Sequence, residues 1–258
     1  MWTYPRVIAH RGGGTLAPEN TIAGLRCGLE HGFHAVEFDV MLSADGVPVL
    51  MHDPAFGRTV PGMGNVSETS AKLLSTMDAG SWFAPKFAGE PVPTFADAIA
   101  FCHREGIWMN VEIKPAPGYA AETGRAAAAV LKQMLAAAAD ARLAEDDSIP
   151  LPLVSSFSPE ALIAARDIAP DIPRGLLIAS VPQDWRAKLQ QVDAIALHTS
   201  YKNLTEEQAR AVKQAGYGLF CYTVDDPDIA RRLLGWGVDA FCTDRVDLIG
   251  PDFAVQAG

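Results

Sequence analysis

Two histidines, two cationic side chains and three carboxylates sit at or near the ends of short apolar runs in this chain. His10-Arg11 follows Val7-Ile8-Ala9, Glu37 and Asp39 lie in Ala35–Val40, His52-Asp53 closes Val47–His52, and Glu112-Ile113-Lys114 closes Trp108–Lys114. Glu37 and Asp39 are two residues apart, so on a strand both point to one face, while the apolar Val36, Phe38 and Val40 take the other. Adjacent carboxylates repel, and burying them unpaired is costly. A divalent cation resolves the conflict, and Glu112 offers a third carboxylate from another run. A donor set of carboxylates, without imidazole or thiolate, favours a hard ion, one Mg²⁺ or Ca²⁺. The alternative is a set of carboxylates salt-bridged to Arg11 and Lys114.

His10 and His52 suit a reaction that needs one base and one acid near neutral pH. Cleavage of a phosphodiester is such a reaction: a nucleophile loses a proton and a leaving oxygen gains one. A cation, Arg11 and Lys114 would offset charge on the non-bridging oxygens. A two-carboxylate glycosidase is a competing reading, and a noncatalytic binding barrel is a third.

The elements that must position these residues alternate along the chain. Strand-like runs end near His10, Asp39, Lys114, Phe157, Ala179, His198, Val224 and Asp244, and helix-like runs separate most of them. Such a series predicts a single-domain (β/α)₈ TIM barrel over 1–258, with chemistry at the C-terminal ends of the strands. A doubly wound open sheet is the alternative, and it leaves Val47–His52 without a place. In the barrel that run turns at Asp45-Gly46 and returns antiparallel, bringing His52 to the rim. Residues 53–93 lack clear periodicity, so 45–93 is expected to be an inserted hairpin and cap between the second strand and its helix. Thr94 and Asp97 form an expected capping pair, Glu145–Pro150 a linker, and Asp247–Ile249 a turn.

Composition narrows the setting. The chain has 258 residues, 49% of them apolar, and a net charge of −10. That charge argues against nonspecific nucleic-acid binding. No stretch approaches the ~18 apolar residues of a membrane span, and the start, Met1-Trp2-Thr3-Tyr4-Pro5-Arg6, shows no signal-peptide core. Cys27, Cys102, Cys221 and Cys242 are widely spaced in apolar surroundings, as expected of reduced thiols in a cytoplasmic protein.

Several separated segments, in order, resemble the glycerophosphodiester phosphodiesterase family: His10-Arg11-Gly12, Pro18-Glu19-Asn20-Thr21, Glu37-Phe38-Asp39-Val40, His52-Asp53, Glu112-Ile113-Lys114 and Cys242-Thr243-Asp244. The opening Ala9-His10-Arg11-Gly12-Gly13-Gly14, with Asp78–Trp82 and Trp236–Asp239, is most similar to the small bacterial cytosolic members linked to glycerol-3-phosphate uptake. The resemblance implies a capped barrel, Glu37, Asp39 and Glu112 as metal ligands, His10 and His52 as the acid–base pair, and Arg11 and Lys114 on the phosphate. It implies hydrolysis of deacylated phospholipids, a small-molecule substrate, to glycerol 3-phosphate and an alcohol, through a cyclic phosphate or by direct attack of water. Relatives often carry tryptophan where this chain has Tyr222. An aromatic wall of Tyr222 and Phe157 for the glycerol is expected, with ordinary barrel packing as the alternative. His198 is expected to pack or to support the site from behind. Glu19 and Asn20 either orient the opening loop or cap the next helix. The glycines are expected to turn the backbone away and keep the rim open.

Overall fold

The computed structural model describes residues 2–141 and 150–256. Its strands are β1 (Val7–His10), β2 (Ala35–Leu42), β3 (Pro48–Leu50), β4 (Trp108–Ile113), β5 (Leu153–Ser156), β6 (Arg174–Ile178), β7 (Ala196–Ser200), β8 (Gly218–Tyr222) and β9 (Ala240–Thr243). All but β3 run parallel and pair in sequence order. β1 closes the ring by pairing with β2 through Ala9↔Val36 and His10↔Glu37, and with β9 through Val7↔Phe241 and Ala9↔Thr243. This is the (β/α)₈ barrel that the alternating runs predict, and the open sheet is excluded.

Every residue of β2 is buried, because the strand has an occupied layer on each side. Val36, Phe38 and Val40 face the helices and join the main core with Leu25, Phe95 and Ile99. Ala35, Glu37 and Asp39 take the opposite, inward face. Ile8, Trp108, Leu153 and Phe220 pack together inside the barrel. Each precedes a polar or aromatic site residue on its own strand by two or four positions, so this apolar plug fills the interior beneath the site.

The helices are α1 (Ile22–Glu30), α2 (Ala71–Leu74), α3 (Phe95–Arg104), α4 (Ala120–Ala141), α5 (Pro159–Ile168), α6 (Trp185–Gln191), α7 (Glu206–Gln214), α8 (Pro227–Gly235) and α9 (Phe253–Gln256). Thr94 and Asp97 form the expected reciprocal capping box at α3. The four-residue α9 has no counterpart in the sequence reading, being too short to show a period. Most of the expected Glu145–Pro150 linker lies outside the described residues. No helix among the described residues is long and apolar enough to cross a membrane.

β3 pairs antiparallel with the far end of β2, through Val40↔Leu50 and Leu42↔Pro48. The returning arm is thus shorter than Val47–His52, and His52 lies just beyond it. Met51 N–H donates to the Asp39 carbonyl at 3.1 Å, which holds the arm beside the second strand. The aperiodic stretch that follows has its own small core of Met41, Val49, Val60, Val66, Leu74 and Val92. Each short piece supplies only one or two of these, so no hydrophobic period develops. Side-chain oxygens do much of the shaping. Asp78 accepts from the backbone N–H groups of Gly80 and Ser81 at 2.8 Å and of Gly89 at 2.9 Å.

Candidate active site

The strand ends bring the expected groups to one cavity. His10, Arg11, Glu37, His52, Glu112 and Lys114 line a hollow of about 250 Å³, together with Phe157 and Tyr222. A larger hollow of about 510 Å³ at the other end of the barrel has Trp2, Tyr4 and Tyr217 in its wall. Its one carboxylate, Asp193, is paired with Arg174 at 2.6 Å. The chemistry-bearing set is therefore at the C-terminal end.

Register places the carboxylates. Asp39 on β2 is level with Glu112 on β4, and a carboxylate oxygen from each of Glu37, Asp39 and Glu112 lies within 4.8 Å of the others. Asp39 has cations beside it: Arg11 Nε at 3.4 Å and Lys114 Nζ at 3.4 Å. Burial opposes its charge, yet Lys114 and Arg11 hold its pKa below the usual carboxylate value. Glu37 and Glu112 are less well compensated. Burial, and then the charge of Asp39, push both carboxyls upward. Glu37 Oε1 and Glu112 Oε1 are buried without a hydrogen-bond partner. Lys114 Nζ also stands 3.7 Å from Glu112 Oε1, too far for a hydrogen bond, so salt bridging to Arg11 and Lys114 accounts for Asp39 but leaves one oxygen of each glutamate without a donor. An oxygen-only cluster with two orphaned carboxylate oxygens fits a divalent cation, and these three residues could hold one.

Both histidines are set by carboxylates. His10 Nδ1 is 2.6 Å from Asp244 Oδ1, and its Nε2 is 3.7 Å from Glu37 Oε2. Burial disfavours a charged His10, but the Asp244 hydrogen bond and Glu37 outweigh it and raise the pKa. His52 Nδ1 is 2.6 Å from Asp53 Oδ1. Here burial prevails and lowers the pKa, despite the nearby charge of Asp39. A carboxylate on Nδ1 fixes the tautomer and leaves Nε2 for proton transfer.

The opening loop is tighter than its glycines suggest. Arg11 has φ +51°, Gly12 +95° and Gly14 +53°. A Cβ on Gly12 would lie 2.7 Å from the Gly24 backbone in α1, and one on Gly14 would lie 2.2 Å from the Asp244 carbonyl. The backbone does turn, but the space is filled. The glycines press the loop onto α1 and the end of β9, which corrects the expectation that they hold the rim open.

Pro18–Thr21 also resolves. Thr21 is the α1 cap, accepting from Gly24 N–H at 2.9 Å. Asn20 instead grips Asp39: its Nδ2 donates to Oδ2 at 2.8 Å, and its Oδ1 accepts from the Asp39 N–H at 3.0 Å. Glu19 accepts from Arg11 at 2.8 Å. Phe157 and Tyr222 meet edge to face with centroids 5.9 Å apart. His198 is fully buried, stacked on Phe220 at 4.5 Å, so it packs behind the site. Residues the sequence reading did not single out also belong here. Arg58 sits in the aperiodic segment, and Asn110 is an inward position of an otherwise ordinary strand. The alternation of β4 was the one available signal for Asn110.

Known proteins are similar to this chain in sequence and in fold. A model of the glycerophosphoryl diester phosphodiesterase family matches residues 10–248. A glycerophosphodiester phosphodiesterase of Caldanaerobacter subterraneus subsp. tengcongensis is 33% identical over 239 residues, 92% of this chain and 93% of that protein. A Bacillus subtilis glycerophosphodiester phosphodiesterase is 28% identical, over 93% of this chain and 84% of its own length. Among solved structures, an Oleispira antarctica phosphodiesterase in complex with the product sn-glycerol-3-phosphate is similar with a TM-score of 0.86 and 36% identity, covering 98% of this chain and 96% of that one. With sequence and barrel in agreement, the chain belongs to the glycerophosphoryl diester phosphodiesterase family and is an enzyme of that class.

Proposed function

We propose that this enzyme hydrolyses glycerophosphodiesters, the deacylated phospholipids, to sn-glycerol 3-phosphate and the free alcohol. The observation that carries the proposal is two carboxylate-held histidines lining one cavity with Glu37 and Glu112, whose carboxylates cluster with that of Asp39. His10 and His52 divide the work of base and acid: one takes the proton from the nucleophile, the other returns a proton to the leaving oxygen. The nucleophile is water or a neighbouring glycerol hydroxyl, the latter by way of a cyclic phosphate, and the two histidines serve either course.

Glu37, Asp39 and Glu112 hold one divalent cation, Mg²⁺ or Ca²⁺. When bound, it neutralises developing charge on the non-bridging oxygens. Arg11 and Lys114 orient the phosphoryl group beside it, both already drawn toward Asp39. Phe157 and Tyr222 form an apolar wall for the glycerol. Residues 45–93 act as a cap within a single domain, placing His52 over the barrel mouth and contributing to head-group choice. The four free cysteines, three of them buried, suit a cytoplasmic enzyme.

Phosphorus NMR of the products from glycerophosphoethanolamine tests the direction of cleavage. Glycerol 3-phosphate is the expected phosphorus-containing product. Phosphoethanolamine in its place, or no turnover with either metal, overturns the proposal.

A further inference from the structure

Arg58 lies in the aperiodic segment, five residues after Asp53, and neither the apolar core nor the cavity wall accounts for it. Its guanidinium is committed to two carboxylates from different parts of the chain. Nε donates to Asp53 Oδ2 at 2.5 Å, and the two terminal nitrogens donate to the two oxygens of Glu19 at 2.7 Å each. Each carboxylate then holds a group that faces the substrate. Asp53 uses its other oxygen on His52 Nδ1 at 2.6 Å. Glu19 shares Oε1 with Arg11 at 2.8 Å. Arg11 in turn approaches Asp39 at 3.4 Å. The contacts form one continuous path: His52, Asp53, Arg58, Glu19, Arg11, Asp39. It begins on the inserted segment and ends on β2.

We propose that Arg58 is a positioning residue that fixes His52 relative to Arg11 by clamping the inserted segment to the opening loop. The side chain is 45% exposed, and exposed ion pairs contribute little to stability. Geometry is a better explanation for the contact. A planar fork bound to both oxygens of Glu19 and one of Asp53 sets distance and orientation together, which a point charge cannot do. Without the clamp, Asp53 and Glu19 each lose a partner that limits their rotation. His52 and Arg11 then lose a defined relation to each other.

This inference rests on the proposed hydrolase activity, and steady-state release of glycerol 3-phosphate from glycerophosphoethanolamine tests it, measured at saturating Mg²⁺ and at saturating Ca²⁺. Wild-type enzyme that shows no turnover contradicts the hydrolase reading rather than the role of Arg58. With an active wild type, Arg58→Ala should lower kcat by about tenfold or more, as expected when a reacting group is misplaced, with little change in Tm. Arg58→Lys should recover only part of the loss, since one ammonium cannot hold both carboxylates; it also serves as the readout if the alanine variant does not fold. In an Asp53→Asn background the route to His52 is already cut, and Arg58→Ala should then cost about twofold or less in kcat. Wild-type kcat in both Arg58 variants, or an equal kcat cost with and without Asp53, overturns the proposal.

Discussion

Each imidazole at the site has a carboxylate on Nδ1, and the two carboxylates come from distant places: Asp244 just beyond the last barrel strand for His10, and the adjacent Asp53 for His52. The pairing holds each ring in place and leaves each Nε2 free for the proton transfer proposed for it. The two rings differ in their other surroundings. His10 is buried against Asp244 and Glu37, which raise its pKa, whereas burial lowers that of His52. The account requires both. His10→Ala and His52→Ala should each lower kcat by about 10²-fold or more, the loss expected of a missing general acid or base. Near-wild-type turnover in either variant removes that residue from proton transfer. The residues named from strand ends were legible because types that carry charge recur where a barrel places its site. Asn20 was not legible as a partner of Asp39, because the Pro18–Thr21 turn gives no period from which to infer a side-chain direction. Arg58 was hidden for the same reason.

At the scale of elements, the opening loop is a joint among three pieces: β1, α1 and the end of β9. Arg11 N–H donates to Glu37 Oε2 at 3.2 Å, Asn20 N–H to the Arg11 carbonyl at 3.0 Å, and Thr15 N–H to the Asp244 carbonyl at 2.8 Å. The last contact ties the loop to the residue that holds His10. Gly14→Ala would combine an unfavourable positive φ with a Cβ 2.2 Å from the Asp244 carbonyl. It should destabilise the fold by about 1–3 kcal/mol and lower kcat by displacing Asp244. Thermal melts and steady-state rates check both effects, and an unchanged Tm with unchanged kcat contradicts the role given to the joint. Sequence pattern located the eight barrel strands to within a few residues because each is buried and bounded by turn residues. It could not resolve residues 53–93. Their core is assembled from isolated apolar residues, and turns held by Asp78 and similar groups give order without periodicity.

Across the whole molecule, the barrel interior changes from an apolar plug to a charged mouth, and His198 lies between them. Burial pushes its pKa down to about 3, from an ordinary value of 6.5. The folded protein keeps this ring neutral while an unfolded chain protonates it below pH 6.5. Stability from this group is therefore full above that pH and falls as pH drops toward 3, by up to about 1.4 kcal/mol per pH unit. Asp53, held at about 2 where Arg58 and His52 outweigh burial, loses its contribution only at lower pH. Between pH 6 and 4.5, His198→Leu should therefore show a flatter dependence of unfolding free energy on pH than the wild type. Parallel curves would show that His198 takes up no proton on unfolding.

The central claim is that the carboxylate triad binds a divalent cation needed for glycerophosphodiester hydrolysis. The most direct measurement is glycerol 3-phosphate release from glycerophosphoethanolamine by chelator-stripped enzyme as Mg²⁺ or Ca²⁺ is added back. The account predicts almost no release in EDTA and a saturable return of activity with at least one of the two ions. Undiminished release in EDTA, or none at any concentration of either ion, would contradict it.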